Sequence, residues 1–426
     1  MYREGNSMKI LKIIAKNLPL FEEELEIDFY AEARVNRNSK DELFHLFSNK
    51  NIDFYLNRTL TFIGKNAAGK TQILRVISFV LTLIQAKPIN QIQSDTNVLN
   101  LNVGECAYFE VYFYENHEGI GKLHKLRTSV ERILNEDTYR EEYIISSENL
   151  FTKEINRIKS KKEVFDFSDA KIKDRQDKKY MGLSNDVSML NLFYNVDNKT
   201  EKIKKIHYHD QLFFTNHNFL STIRKDFPNE ILEFLDPSIE YLEFKRNDSK
   251  SIGATIKFKE KEDTIEIDNI VNLGEVLSSG TIKGFGIFLL ALASLERGGY
   301  LIIDELENHF NREIVATLIR FFLNSKMNVM GATLIYSSHY AELIDTIDRN
   351  DSIYIVRKRK NINIEKLSKT VKRNDSNKSY LFVNALLDQV NPSYTAVNDL
   401  SKEFRKKITG ALKDESIMRR EELKWR

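Results

Sequence analysis

Cysteine occurs once in the 426 residues, at Cys106, so no disulfide can close within the chain and a cysteine-ligated zinc site lacks ligands. Cys106 itself reads as a small buried hydrophobe. Proline is scarce too, with 5 in the whole chain, while hydrophobic residues make up 42% and charged residues 30%. That balance excludes a disordered chain and suits an ordered mixed α/β protein. No stretch offers about 18 uninterrupted apolar residues, and Met1 to Lys9 carries no apolar core of signal-peptide length. A cytoplasmic protein with no membrane contact is the expectation. The most apolar segments, Val76 to Ile84 and Phe285 to Leu295, are short and flanked by charge, as in helices of a soluble core.

Net charge is also nearly absent, at +2, yet the balance is uneven along the chain. Residues 355–426 hold 18 Lys/Arg against 9 Asp/Glu, a surplus of +9, which leaves 46 against 53, or −7, for residues 1–354. A basic tail of this kind is compatible with nucleic acid phosphates, with an acidic partner, or with plain solvation.

The length exceeds what one hydrophobic core usually serves, so one domain with a large insertion, or two domains, is expected. Lys9 to Asp28 reads as strand, turn and strand, and Tyr108 to Tyr114 as a further strand. From Asn116 to Asn272 the character changes: Phe151 to Tyr180 carries 10 basic and 6 acidic residues, and Ile231 to Leu235 looks helical. From Leu277 helix and strand alternate again, with buried strands at Tyr300 to Ile303, Ala332 to Tyr336 and Ser352 to Arg357. The reading divides the chain into 1–115, an insertion, lid or helical stalk at 116–272, a second core half at 273–360, and a basic segment at 361–426. Residues 374–396, with Tyr380, Phe382, Leu386, Leu387, Pro392 and Tyr394, suit core packing, while the lone Trp425 could be a tail residue or a partner anchor.

The most specific chemistry lies at Gly64-Lys65-Asn66-Ala67-Ala68-Gly69-Lys70-Thr71, a complete G-x-x-x-x-G-K-T loop between the apolar run Thr59 to Ile63 and a helical run beginning near Gln72. In that context Gly64, Asn66 and Gly69 place backbone N–H groups around phosphates at the positive end of a helix. Lys70 supplies a compact cation and Thr71 a hydroxyl for Mg²⁺, so a nucleoside triphosphate and Mg²⁺ are the expected ligands. Tyr300-Leu301-Ile302-Ile303-Asp304-Glu305 ends a buried strand in two carboxylates, where Asp304 can serve Mg²⁺ and Glu305 an attacking water. Leu277-Ser278-Ser279-Gly280-Thr281 opens a helix with Ser278 or Ser279 as N-cap, a second anion site. Ser337-Ser338-His339 follows a strand end, where an imidazole could reach a γ-phosphate.

The loop at Gly64, the LSSGT segment, the IIDELENHF segment and the SSH segment, in this order, resemble the Walker A, signature, Walker B with D-loop, and switch histidine of ABC-type ATPases. The wording is most similar to the SMC-like branch and, within it, to OLD-like anti-phage ATPases of the PARIS, Septu and abortive-infection kinds. The resemblance implies an α/β fold, a P-loop ABC-ATPase head with mixed sheet and a helical insertion. It further implies that Lys70 and Thr71 serve phosphate and Mg²⁺, Asp304 Mg²⁺, Glu305 the water and His339 the γ-phosphate. Ser278, Ser279 and Gly280 would meet the γ-phosphate held by a second subunit, with Glu307 to Phe310 at the seam of a homodimer. Two departures stand out: Ser279 occupies a place in the signature glycine pair where the pattern has Gly, and no glutamine can be assigned to the Q-loop.

Nuclease chemistry is not expected within the chain. No Asp-x-Asp follows residue 350, and the last histidine is His339. The resemblance therefore points to an ATPase that senses or scaffolds while a separately encoded effector, a nuclease or toxin, does the damage. The alternative is an SMC-like DNA-repair or chromosome-maintenance ATPase that clamps duplex DNA, and an ABC transporter motor is weaker again.

Overall fold

The computed structural model describes residues 8–22, 24–35, 39–92, 98–117, 119–180, 182–195, 205–212, 228–246, 252–308, 310–371, 378–381, 394–395 and 398–409. In chain order the strands are β1 (Lys9–Lys16), β2 (Leu25–Asp28), β3 (Leu43–Asn49), β4 (Ile52–Asn57), β5 (Thr59–Ile63), β6 (Cys106–His117), β7 (Ile120–Asn135), β8 (Arg140–Glu154), β9 (Lys171–Asp174), β10 (Tyr208–Gln211), β11 (Ile239–Arg246), β12 (Ile252–Phe258), β13 (Thr264–Ile267), β14 (Tyr300–Ile303), β15 (Thr333–Ser338), β16 (Ile353–Lys358) and β17 (Ile362–Lys366). The helices that matter here are α1 (Lys70–Ile84), α2 (Leu190–Asn195), α3 (Asn229–Leu235), α4 (Ser279–Arg297) and α5 (Arg312–Leu323).

β5, β14, β15 and β16 are short runs buried on both faces, which is why apolar residues follow one another without alternation. They pair in parallel within the order β10-β14-β15-β5-β16-β17, where only β17 runs antiparallel. Register sets the site. Ile303 lies level with Tyr336, and Ser338 with Ile63, so the carboxyl ends of β14, β15 and β5 finish side by side.

A second, antiparallel sheet has the order β2-β1-β6-β7-β8-β9. On β6 every second residue, Ala107, Phe109, Val111 and Phe113, is fully buried, and Phe109 meets Phe79 of α1 with ring centroids 5.1 Å apart. Leu60, Phe62, Ile302, Ile335 and Val356 of the parallel sheet join the same core. α1 is thus packed between two sheets, which accounts for its apolar composition on nearly every side. Each fully buried Leu, Ile, Val or Phe there contributes about 1.5–3 kcal/mol.

Polar side chains stitch the sheets together. Lys9 Nζ donates to the carbonyls of Gly298 (2.6 Å), Met330 (2.9 Å) and Gly331 (2.8 Å), fastening β1 to the end of α4 and the turn before β15. Tyr300 Oη accepts from the Ile10 N–H at 2.8 Å, and Tyr354 Oη from the Asp28 N–H at 2.7 Å.

The α/β class with mixed sheets holds, but the helical stalk expected within 116–272 is not what its described residues form. β7 and β8, 16 and 15 residues long, extend the antiparallel sheet; β11, β12 and β13 make a small sheet of their own, and α2 and α3 are short. The charged stretch Phe151 to Tyr180 runs through the end of β8, short 3₁₀ turns and β9, and charged side chains of the paired strands meet aromatic neighbours. Lys125 Nζ, for example, sits 4.6 Å from the Phe151 ring centroid across the β7–β8 pair. The expected helical run at Ile231 to Leu235 does fall in α3. Buried Glu148 anchors this region, accepting from Ser188 Oγ (2.8 Å), the Met189 N–H (2.6 Å) and Thr128 Oγ1 (3.0 Å).

Cys106 is half-exposed rather than buried, with its Sγ 3.9 Å from Ser146 Oγ. By internal contacts the chain forms two units, Met1–Ser379 and Tyr380–Arg426. In the second, a helix over 398–409 exposes Leu400, Phe404 and Ile408, four residues apart on one face. Tyr380 and Tyr394, assigned to core packing from sequence, are exposed. Phe382, Leu386, Leu387, Pro392 and Trp425 lie outside the described residues, as does His309.

Candidate functional site

Beyond Ile63 the chain turns through Gly64 to Gly69 before entering α1. Gly69 has φ +99°, and a Cβ there would come within 2.4 Å of Ile362 Cδ1; a Cβ on Gly64 would lie 2.4 Å from the Val356 carbonyl oxygen. Only glycine fits either position, because β16 and β17 press against the loop. Asn66 is exposed at the tip. Lys70 is buried at the start of α1, with Nζ donating to the carbonyls of Gly64 and Lys65, both at 2.9 Å. Burial lowers its pKa, and the carboxylates of Glu305, Glu307 and Asp304 oppose that shift.

The next residue links the two halves of the chain. Thr71 Oγ1 donates to Asp304 Oδ2 at 2.6 Å, across 233 positions of sequence. Asp304 stands at the end of β14, where the strand order brings it beside β15. Ser337, on β15, donates from Oγ to Asp304 Oδ1 and accepts the Glu305 N–H at 2.8 Å, so one hydroxyl holds both carboxylate residues. Glu305 has φ +47°, a conformation uncommon for a residue with a Cβ, and its Oε2 accepts from Asn308 Nδ2 at 2.5 Å.

His339 follows β15. Its backbone N–H donates to Glu307 Oε1 at 2.7 Å, and its Nδ1 lies 2.5 Å from the same oxygen. Glu307 is buried, whereas the imidazole is about one-third exposed, with side-chain values of 2% and 33%. From α4, Lys283 approaches the same carboxylates: Nζ lies 3.4 Å from the Asn308 carbonyl, and burial lowers its pKa against the pull of Glu305, Glu307 and Asp304.

The LSSGT segment forms the start of α4. Ser278, not Ser279, is the N-cap, its Oγ accepting the Thr281 N–H at 3.0 Å. Ser278 and Ser279 are exposed and Gly280 is half-exposed, so the open N–H groups of this helix end face outward.

Lys70, Thr71, Asp304, Glu305 and His339 therefore gather at the carboxyl edge of three neighbouring strands, which is where open α/β sheets bind ligands. Sequence reading missed Ser337, Asn308 and Glu307 as partners of that set, although all three lie within the quoted motifs. It also missed Gln211, which ends β10 level with Ile303 and is buried. The four residues of β10, Tyr-His-Asp-Gln, give no apolar signal of a strand, so nothing in the sequence pointed to it.

A glycine turn feeding a helix with a buried lysine and a hydroxyl, set against a strand-end aspartate, defines a P-loop ATPase. The residues present suit a triphosphate with its magnesium ion: a cation, a helix N-terminus, a hydroxyl and a carboxylate converge on one place. The chain belongs to the family described as "AAA domain, putative AbiEii toxin, Type IV TA system", whose model matches residues 60–345, a span that takes in all four motifs. Comparison with curated proteins gives no match.

Proposed function

We propose that the protein is an ABC-type ATPase of the OLD-like kind that closes as a homodimer around ATP and acts as the sensor or scaffold of an anti-phage, abortive-infection system, controlling a separately encoded effector. The observation that carries the ATPase part is the 2.6 Å bond from Thr71 to Asp304, which joins the phosphate loop to the second acidic strand. The family description, with its abortive-infection toxin, supports the defence part.

Lys70, which in this state caps carbonyls of its own loop, would turn its ammonium to the β- and γ-phosphates. Thr71 and Asp304 would hold Mg²⁺, whose charge neutralises the phosphates when bound. Glu305 would orient the attacking water, with Asn308 fixing its carboxylate. Gln211, at the end of β10 beside β14, would serve as the Q-loop glutamine. The exposed Ser279 and the half-exposed Gly280 would complete the site of a second copy, and a single set of motifs per chain favours a homodimer.

The test is ATP hydrolysis by the purified protein together with phage plating on cells carrying the gene and its native neighbours. Lys70→Ala is expected to lower turnover by roughly 100-fold or more and to abolish protection. Turnover unchanged in Lys70→Ala would refute the site; turnover without protection against a broad phage panel would refute the defence role. The second reading, a DNA-maintenance ATPase, draws on the basic surplus of residues 355–426. It requires DNA binding that weakens steeply with salt and stimulates turnover.

A further inference from the structure

Glu307 is the buried carboxylate that the scheme above leaves unused. Among the described residues its Oε2 has no hydrogen-bond partner, while its Oε1 is engaged twice by one residue, the N–H of His339 at 2.7 Å and the Nδ1 of His339 at 2.5 Å. A carboxylate oxygen and an imidazole nitrogen at that separation, both otherwise acceptors, need a proton between them. That proton sits on Nδ1. In its neutral form such a ring presents Nε2 as a lone pair rather than as an N–H, and the imidazole is exposed enough to offer it to a ligand.

We propose that Glu307 is a positioning residue that locks His339 in its Nδ1–H tautomer, so that Nε2 accepts a hydrogen bond from the attacking water instead of donating one to the γ-phosphate. This rests on the ATPase reading of the site. In the step itself one O–H bond of the water breaks as its proton passes to Nε2. The oxygen forms a bond to the γ-phosphorus, and the bond from that phosphorus to the β–γ bridging oxygen breaks, with its electron pair leaving on ADP. The imidazolium afterwards returns the proton to phosphate or solvent. Glu305, already bonded to Asn308, holds the water in line rather than serving as its only acceptor.

The lock depends on an acceptor oxygen, not on charge. In Glu307→Gln the backbone N–H of His339 repels an amide NH₂ and selects the amide oxygen, which still accepts the Nδ1 proton. Glu307→Ala removes the acceptor altogether.

The experiment measures steady-state hydrolysis of MgATP, affinity for a fluorescent ATP analogue and thermal melting for the full chain carrying Glu307→Gln, Glu307→Ala, His339→Ala, or both alanines. Spectra of ¹⁵N-histidine-labelled protein report the His339 tautomer without turnover. Glu307→Gln is expected to keep kcat within about fivefold of wild type with the Nδ1–H tautomer intact. Glu307→Ala should lower kcat by roughly 30-fold with KM within about threefold, shift the ring from the Nδ1–H form, and add nothing to His339→Ala. If Glu307→Gln is as impaired as Glu307→Ala while both still melt and bind nucleotide normally, charge rather than tautomer is at work and the proposal falls. It falls equally if wild-type His339 is found in the Nε2–H form. Absence of hydrolysis in the wild type would count against the ATPase reading alone, because the spectra decide the tautomer independently.

Discussion

Glu42 lies just before β3, 8% exposed, with its carboxylate accepting the N–H groups of Asp348 (2.7 Å) and Arg349 (3.1 Å). Burial pushes its pKa up from 4.5 to about 7. The negative charge of Asp348 adds to the rise, while the two N–H bonds and the charge of Lys378 restrain it. Between those two values the folded chain keeps a proton that the unfolded chain has lost, so stability falls as pH rises through this window and levels off above it. The displacement is worth about 3 kcal/mol. Glu42→Gln removes the titration and, because its amide offers one acceptor where the carboxylate offers two, adds a cost of about 1–2 kcal/mol that does not vary with pH. The readout is therefore the difference between variant and wild type. Urea unfolding at pH 4.5, 5.5, 6.5 and 8 should show that difference moving by about 3 kcal/mol in favour of the variant, most of it between pH 5 and 7. A difference that stays flat within about 0.5 kcal/mol over the whole range would refute the assignment of a raised carboxyl.

Gly69→Ala meets both a left-handed φ of +99° and the Ile362 side chain at 2.4 Å, so the loop must reshape at a cost of about 1–3 kcal/mol; an ATP analogue titrated against the variant should bind on the order of 100-fold more weakly. Ser337→Ala deletes the hydroxyl that holds Asp304 and the Glu305 N–H; losing about 1.4 kcal/mol of orientation should lower kcat roughly tenfold and leave KM nearly unchanged in steady-state assays. Asp351→Ala strands the guanidinium of Arg349, whose side chain is as deeply buried as that of Asp351, and chemical denaturation should report a loss of about 3–5 kcal/mol.

The parts of the fold that could be read from sequence are those with a strong local period or a special residue. β14 and β5 are unbroken apolar runs followed by chemistry, and α1 and α4 carry apolar residues on helical spacing behind a glycine turn and a serine cap. What could not be read depends on pairing at long range. β7 and β8 look like a charged surface because Lys125 and Arg127 find aromatic and acidic neighbours only once the strands are registered. Gln211 becomes a candidate only when β10 is seen beside β14. Within the site, Lys70, Thr71, Asp304, Glu305 and His339 come together, but the second layer of Ser337, Asn308 and Glu307 is set by strand order and by the turn after Glu305. No spacing rule encodes either.

β5 carries the phosphate loop, and its two neighbours in the sheet, β15 and β16, are made about 270 and 290 residues later. During synthesis the strand that will become the middle of the sheet therefore waits with both edges unpaired until most of the chain has left the ribosome. Such a strand, Thr-Leu-Thr-Phe-Ile, is a template for pairing with other chains. Loop closure over this span also makes assembly of the sheet slow. A nascent chain cannot bind nucleotide at a finished site before β15 arrives, so ATP can only stabilise molecules that are already nearly complete. Ribosome-held fragments ending before residue 300 should accordingly need chaperones, and fragments reaching past β16 should be the first to gain protease protection from ATP.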